Sequence, residues 1–150
     1  MAILRDHPYP QFNFLVDLGT GTTEGPQAGF QECSPIAVEV EVIEYRNGND
    51  RQNSVRKISG LNKATNVTLK RGAIGALDLY QWLDQIRNGD QSAYRTVVIQ
   101  LLSEDHSGAV LSWKLHGARI ARYATGPLNA RGHDVVIEEL TLAYERLEME

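Results

Sequence analysis

A mainly β fold is what this sequence predicts: a two-sheet β-barrel or sandwich with one flanking α-helix, in a single domain spanning residues 1–150. Three observations carry that reading. Several segments alternate apolar and polar residues with the period of a half-buried strand. One segment alone carries apolar residues at spacings of three and four. The chain has 150 residues, 42% hydrophobic and 23% charged, which suits one soluble domain able to bury a core without cross-links.

The elements follow in chain order. In "FNFLVDL", Phe12, Phe14, Val16 and Leu18 alternate with Asn13 and Asp17, which predicts a strand. "GTGTTEG", residues 19–25, is a loop. "IAVEVEVIEY" sets Ile36, Val38, Val40 and Val42 on one face, expected to be the core face, and Ala37, Glu39 and Glu41 on the other. "RNGNDRQNSVRKISG", residues 46–60, is polar and turn-rich with no useful period. A strand-like run with Val67 and Leu69 then ends in Lys70-Arg71-Gly72.

From Ala76 to Arg87, Leu79, Trp82, Leu83 and Ile86 form one apolar stripe of a helix, with Trp82 in the core. Asp78 and Arg87 lie at the ends the helix dipole favours, and Asn88-Gly89 supplies a stop. "YRTVVIQLL" reads as a strand covered on both sides, and "AVLSWKLHG" as a half-buried one. "SEDHSG", residues 103–108, joins them as a hairpin turn, and "DVVIEELTLAYERL" is the closing strand.

Composition and motifs exclude most chemistry. A net charge of −4 argues against a general nucleic-acid binder, whose affinity needs a basic face. Cys33 is the single cysteine, so no internal disulfide and no cysteine-based metal site is expected. "MAILRDHPYPQF" lacks the apolar run of a signal peptide and no later segment could span a bilayer, so assembly in the cytoplasm without a membrane anchor is expected.

The basic, glycine-bearing stretch Lys70-Arg71-Gly72 raises the question of a phosphate cradle. A P-loop needs Gly-Lys-Ser/Thr in that order, whereas here the basic pair precedes the glycine. The dinucleotide fingerprint needs three glycines, and only Gly72 and Gly75 are present. The stretch is therefore expected to be a structural corner, with Gly72 placed where a turn needs positive φ. Asp105-His106-Ser107 are sequence neighbours in a turn and cannot form a spatial relay. His133-Asp134 reads as another turn, and His7 and His116 read as surface residues without metal-site spacing. Glu39 and Glu41 share a strand face and cannot flank a scissile bond. No catalytic, cofactor-binding or metal residue is expected.

A resemblance covers essentially the whole chain. "PYPQFNFLVDL", "GFQECSPIAVEVEVIEYRNGND", "VRKISGLNKATNVTLKRGAIGALDLYQWL" and "GPLNARGHDVVIEELTLAYERLE" occur in the layout of the inner tail-tube proteins of contractile phage tails and contractile injection systems. The most distinctive parts are Glu44-Tyr45-Arg46, a turn at Gly60-Leu61, the corner Leu69-Lys70-Arg71-Gly72, and Leu128-Asn129-Ala130.

The resemblance implies a non-enzymatic structural subunit that assembles into stacked hexameric rings with a hollow lumen. It implies, as partners, further copies of the chain, a contractile sheath protein, baseplate and spike proteins, tube-terminating proteins, and a cargo effector or DNA in the lumen. It further implies residence in a phage tail or tail-like particle, assembled in the cytoplasm and in some systems released. The family's segment 46–60 reaches adjacent subunits, so Arg46, Asp50, Arg51, Arg56 and Lys57 are expected at an inter-subunit contact, against an acidic neighbour such as the Glu-rich C-terminus. Glu39 and Glu41 are expected to face either the lumen or plain solvent. The alternative role is a tube-end or baseplate adaptor, or a secreted binding ring, that does not polymerise alone.

Overall fold

The computed structural model describes residues 2–150. Nine strands and one α-helix are present among them: β1 (Phe14–Asp17), β2 (Glu32–Cys33), β3 (Val38–Tyr45), β4 (Arg56–Ala64), β5 (Val67–Gly72), α1 (Asp78–Arg87), β6 (Arg95–Leu102), β7 (Ala109–Thr125), β8 (Ile137–Ala143) and β9 (Arg146–Met149). Seven strands form one antiparallel sheet in the order β1-β6-β7-β8-β5-β2, with β9 also on β7. The other two, β3 and β4, pair only with each other. The predicted two-sheet, one-helix architecture is therefore the one observed.

The long strand β7 makes the large sheet curl. Its first half pairs with β6 and β9, and its second half pairs with β8. Gly117 stands between the halves at φ +67°, and a Cβ there would lie 2.9 Å from the Glu145 carboxylate. Only glycine takes that conformation at so close an approach without strain. Because the sheet folds over at this point, Val16, Val97, Ile99 and Leu115 from one half meet Val67, Leu69, Leu140 and Leu142 from the other in one core.

Helix α1 starts two residues later than its apolar stripe suggests, after a loop in which Gly75 takes φ +81°. Leu79 and Trp82 are buried, and Leu83 and Ile86 pack against the core. Trp82 Nε1 donates to the Ala93 carbonyl at 2.7 Å, so its one polar group is satisfied in the interior. Gly89, at φ +83°, ends the helix as expected.

The closing segment differs from expectation. It is two strands, β8 ending at Ala143 and β9 beginning at Arg146, but both lie antiparallel to β7 in one register (Ala143↔Arg119, Arg146↔His116), and between them Glu145 N donates to the His116 carbonyl. The turn at 103–108 is as predicted, and Asp105 holds it together by accepting from Ser103 Oγ at 2.7 Å and from Ser107 N at 3.0 Å. No helix among the described residues is long and apolar enough to cross a membrane.

Candidate assembly interface

The valine face of β3 is not a core face. Val38, Val40 and Val42 are 42%, 53% and 58% exposed, and every residue of the strand is open on both sides. The alternation is real, but no described residue of this chain covers the apolar face. Glu39 and Glu41 share the opposite face as expected, with Lys63 across the strand pair from Glu39.

The segment 46–60 is also not a loop throughout. Arg56 to Gly60 belong to β4, so β3 and β4 form a hairpin whose tip spans 46–55. Nor is Gly60-Leu61 a turn. It is a β-bulge: the register passes from Val40↔Asn62 to Val42↔Ser59, leaving two residues of β4 opposite Glu41. A Cβ on Gly60 would sit 3.0 Å from the Glu41 carbonyl and 3.2 Å from the Ile43 side chain, so glycine lets Ile43 lie across the bulge.

The base of the hairpin is tied to the barrel at Ala37, whose carbonyl accepts from Thr65 N at 3.0 Å, Thr65 Oγ1 at 3.0 Å and Tyr144 Oη at 3.3 Å. The tip is ordered by its own charges. Arg46 donates to the carbonyls of Asp50 and Gln52, Asp50 accepts from Asn47 N at 3.1 Å, and Arg56 approaches Asp50 at 3.9 Å. Tyr45 Oη also donates to the Asn47 side chain. Arg46, Asp50 and Arg56 are thus brought together, while Arg51 and Lys57 have no side-chain partner among the described residues.

The C-terminal carboxylates expected to receive these cations already have internal partners. Glu145 pairs with Arg119, Glu148 with His116 and Arg146, and Glu150 with Lys114. His116 is consequently half-buried, with Nε2 2.8 Å from Glu148 Oε2, rather than a plain surface histidine.

The basic stretch after β4 splits in two. Lys70, Arg71 and Gly72 are the last residues of β5, and the chain turns only beyond them. Lys70 points outward, 3.8 Å from Glu32. Arg71 points inward with no exposed surface, in the row otherwise filled by Val67 and Leu69. Its guanidinium donates to Glu138 Oε2 at 2.7 Å, to Asp78 Oδ1 at 2.7 Å and to the Gln27 carbonyl at 2.6 Å. Tyr123 Oη donates to the remaining Glu138 oxygen at 2.8 Å.

This network ties α1, β8 and the 26–28 turn to β5. Burial acts to raise the Asp78 pKa, but the Arg71 hydrogen bonds and charge outweigh it and hold Asp78 below its ordinary value. A phosphate could not reach Arg71. Gly72 has neither a positive φ nor a neighbour within 4 Å of a would-be Cβ, so the expected conformational need for glycine there is overturned. Burial pushes the Cys33 thiol up to about 11, which keeps it protonated and unreactive at neutral pH. No cluster of three or more metal-ligating side chains occurs among the described residues.

A barrel that hides its own core yet projects a ribbon with both faces and both edges uncovered offers the unpaired edges and apolar surface through which subunits associate. Residues 10–148 match the family of T4-like virus tail tube protein gp19, and the chain belongs to that family. Its members are structural tube proteins.

Solved structures share the fold over nearly the full length. A chain in the cryo-EM structure of the anti-feeding prophage (AFP) baseplate, 6-fold symmetrised, is 26% identical, with a TM-score of 0.81 over 97% of this chain and 97% of that one. One in the PVC sheath-tube complex of an extracellular contractile injection system, in the extended state, is 24% identical, with a TM-score of 0.83 over 97% and 93%. Hcp1 from Flavobacterium johnsoniae is 9% identical with a TM-score of 0.53 over 91% and 93%, a likeness of fold alone. No curated protein sequence matches the chain.

Proposed function

We propose that the protein is the repeating subunit of the inner tube of a contractile injection machine, in which six copies close into a ring and rings stack around a hollow lumen. The observation that carries this reading is the β3–β4 hairpin, uncovered on both faces and both edges in a chain of the tail tube family. Exposed strand edges are templates for pairing, and a head-to-tail ring lets each hairpin pair with the next until no edge is left. The 6-fold symmetrised AFP baseplate and the C6 tail of the gene transfer agent particle support the ring size.

Contacts with a sheath protein, with baseplate and spike proteins and with tube-terminating proteins are supported by the assemblies in which similar chains sit. Burying the valine face against a neighbour leaves Glu39 and Glu41 for the lumen. An acidic wall there repels DNA phosphates or an acidic effector and limits sticking during passage. Assembly takes place in the cytoplasm, before any release of the particle.

The basic tip makes the contact between rings, with Arg51 and Lys57 free to meet an acidic neighbour. Reversing Arg51 and Arg56 to Glu leaves the protomer folded, because exposed charges contribute little to stability, but shortens the tubes. Native circular dichroism together with full-length tubes would remove the tip from the stacking contact. The direct test is electron microscopy of the purified chain, alone and with its baseplate. Tubes of stacked rings are expected, and a protein that stays monomeric under both conditions refutes the reading.

A second reading, a tube-end or baseplate adaptor, is favoured by the similar fold of the AFP cap chain, which is 24% identical with a TM-score of 0.82. It yields isolated rings that never lengthen in the same experiment.

A further inference from the structure

A cavity of about 290 Å³, lined by no hairpin residue, lies between α1, the end of β1 and the loop that follows it. Its floor is apolar, made by the buried side chains of Val16, Leu79 and Trp82. Its rim is polar, with Gln27, Gln81 and Gln85 exposed. Gln81 and Gln85 stand about one turn apart on the same side of the helix.

One cation enters this cavity. Arg95, the first residue of β6, is half-buried, and its guanidinium lies over the Trp82 ring, 4.4 Å from the centroid. Its stem packs against Gly19, which takes φ +89°; a Cβ there would lie 3.1 Å from Arg95 Cβ and 3.3 Å from Cδ. Nη1 reaches the Leu18 carbonyl at 3.5 Å, a long hydrogen bond. Nε and Nη2 have no partner among the described residues and remain open to solvent.

The other arginines with shielded side chains are different. Arg5, Arg71 and Arg119 each hold a carboxylate at 2.6 to 2.7 Å. Arg95 holds none. Burial lowers its pKa below the ordinary value, with only the more distant charge of Asp78 acting the other way. Asp78 is already engaged, since both its oxygens accept from the Arg71 guanidinium.

We infer that this cavity is a receptor for one carboxylate, borne by an acidic side chain of another protein chain and gripped by the Nε–Nη2 edge of Arg95. That edge carries two parallel N–H groups, the fork that matches a carboxylate in two bonds. A monoanion suits a site with one cation and Asp78 on its wall, where a phosphate dianion would be repelled. The volume is at the lower end for ligand pockets, room for a side chain and not for a nucleotide. The apolar floor accepts the methylene groups of a glutamate, and the rim carboxamides add N–H donors. Stacking on Trp82 and packing against Gly19 already hold the guanidinium, so little side-chain freedom is lost on binding. The site lies within one protomer and does not depend on the tube reading.

Saturation-transfer difference NMR on the full-length chain tests the inference, because it detects weak ligands on protomers and large assemblies alike. The probes are a capped Gly-Glu-Gly peptide, its Gly-Gln-Gly counterpart and acetate. Saturable transfer to the glutamate methylenes is expected, with binding about tenfold weaker or less for the glutamine peptide, as loss of a charge-assisted hydrogen bond implies. Arg95→Gln, its fold checked by circular dichroism, is expected to abolish transfer from the glutamate peptide. Equal binding of the two peptides to the unaltered chain overturns the inference, whether or not Arg95→Gln folds. No saturable transfer to the glutamate peptide, or full transfer in a natively folded Arg95→Gln, also overturns it. Transfer to acetate with none to the glutamate peptide overturns the protein source and assigns the cavity to a free small acid.

Discussion

Strands β8 and β3 carry nearly the same alternation and meet opposite fates. In β8, Leu140 and Leu142 are wholly buried and even Glu138 is nine-tenths enclosed, because β5, β7 and the Arg71 side chain surround that row. In β3, three valines in the same rhythm stay open to solvent. A strand's period states that one face will be covered. It does not state whether the cover comes from the same chain. In this molecule the barrel buries its own apolar rows, and the hairpin leaves its apolar face open.

That contrast predicts where substitutions act. The largest effect on protomer stability belongs to the barrel's buried ion network. Arg71→Ala leaves Glu138 enclosed without a counter-charge and should cost about 3–5 kcal/mol in chemical denaturation, as removal of one member of a buried pair does. Trp82→Ala empties the space between α1 and the sheet and frees the Ala93 carbonyl, at a similar cost of about 3–5 kcal/mol. A variant that loses less than about 1 kcal/mol at either position would break the contrast.

Asp78→Asn should cost less, since its carboxylate is partly exposed, and its cost should depend on pH. The folded-state pKa of Asp78 lies below its ordinary value, so its contribution is complete above that ordinary value and disappears as pH falls through the folded one. Denaturation of Asp78→Asn and the unaltered chain should therefore differ at neutral pH and converge in strong acid. A difference that persists at the lowest pH would assign the loss to helix geometry instead.

In the hairpin the expectation reverses. Val42→Ser should change protomer stability by no more than about 0.5 kcal/mol, as exposed substitutions do, while reducing assembly at equal concentration in sedimentation. The smallest effect of all is expected at Gly72. Alanine there meets no neighbour and needs no unusual backbone, so its melting curve should overlay that of the unaltered chain.

How much of this was legible in the sequence follows from the same contrast. The barrel strands and α1 were readable because their partners lie in the same chain, so period and burial agree. The switch of β7 from one set of partners to another at Gly117, and the break between β8 and β9 at Tyr144-Glu145, were not. No proline or period change marks the second, which falls beside Gly117, where Glu145 N donates to the His116 carbonyl of the neighbouring strand.

β4 was missed for a related reason. "RKISGLNKA" has no apolar period, and it is extended because β3 pairs with it. The candidate site was legible as a place but not as a shape. The charged tip and the Glu39-Glu41 face are identifiable in the sequence, whereas the extent of β4 and its bulge at Gly60-Leu61 are defined only by its pairing with β3. Arg71 was misplaced because its partners Asp78 and Glu138 come together only in space.

The central claim is that the hairpin's exposed surface is completed by other copies of the chain. A cryo-EM reconstruction of the assembled protein tests it most directly. The account predicts six-membered rings in which Val38, Val40 and Val42 are buried against a neighbour in the same ring, with Glu39 and Glu41 on the lumen. A reconstruction in which the hairpin stands in solvent on the outer wall, with the valines uncovered, would contradict it.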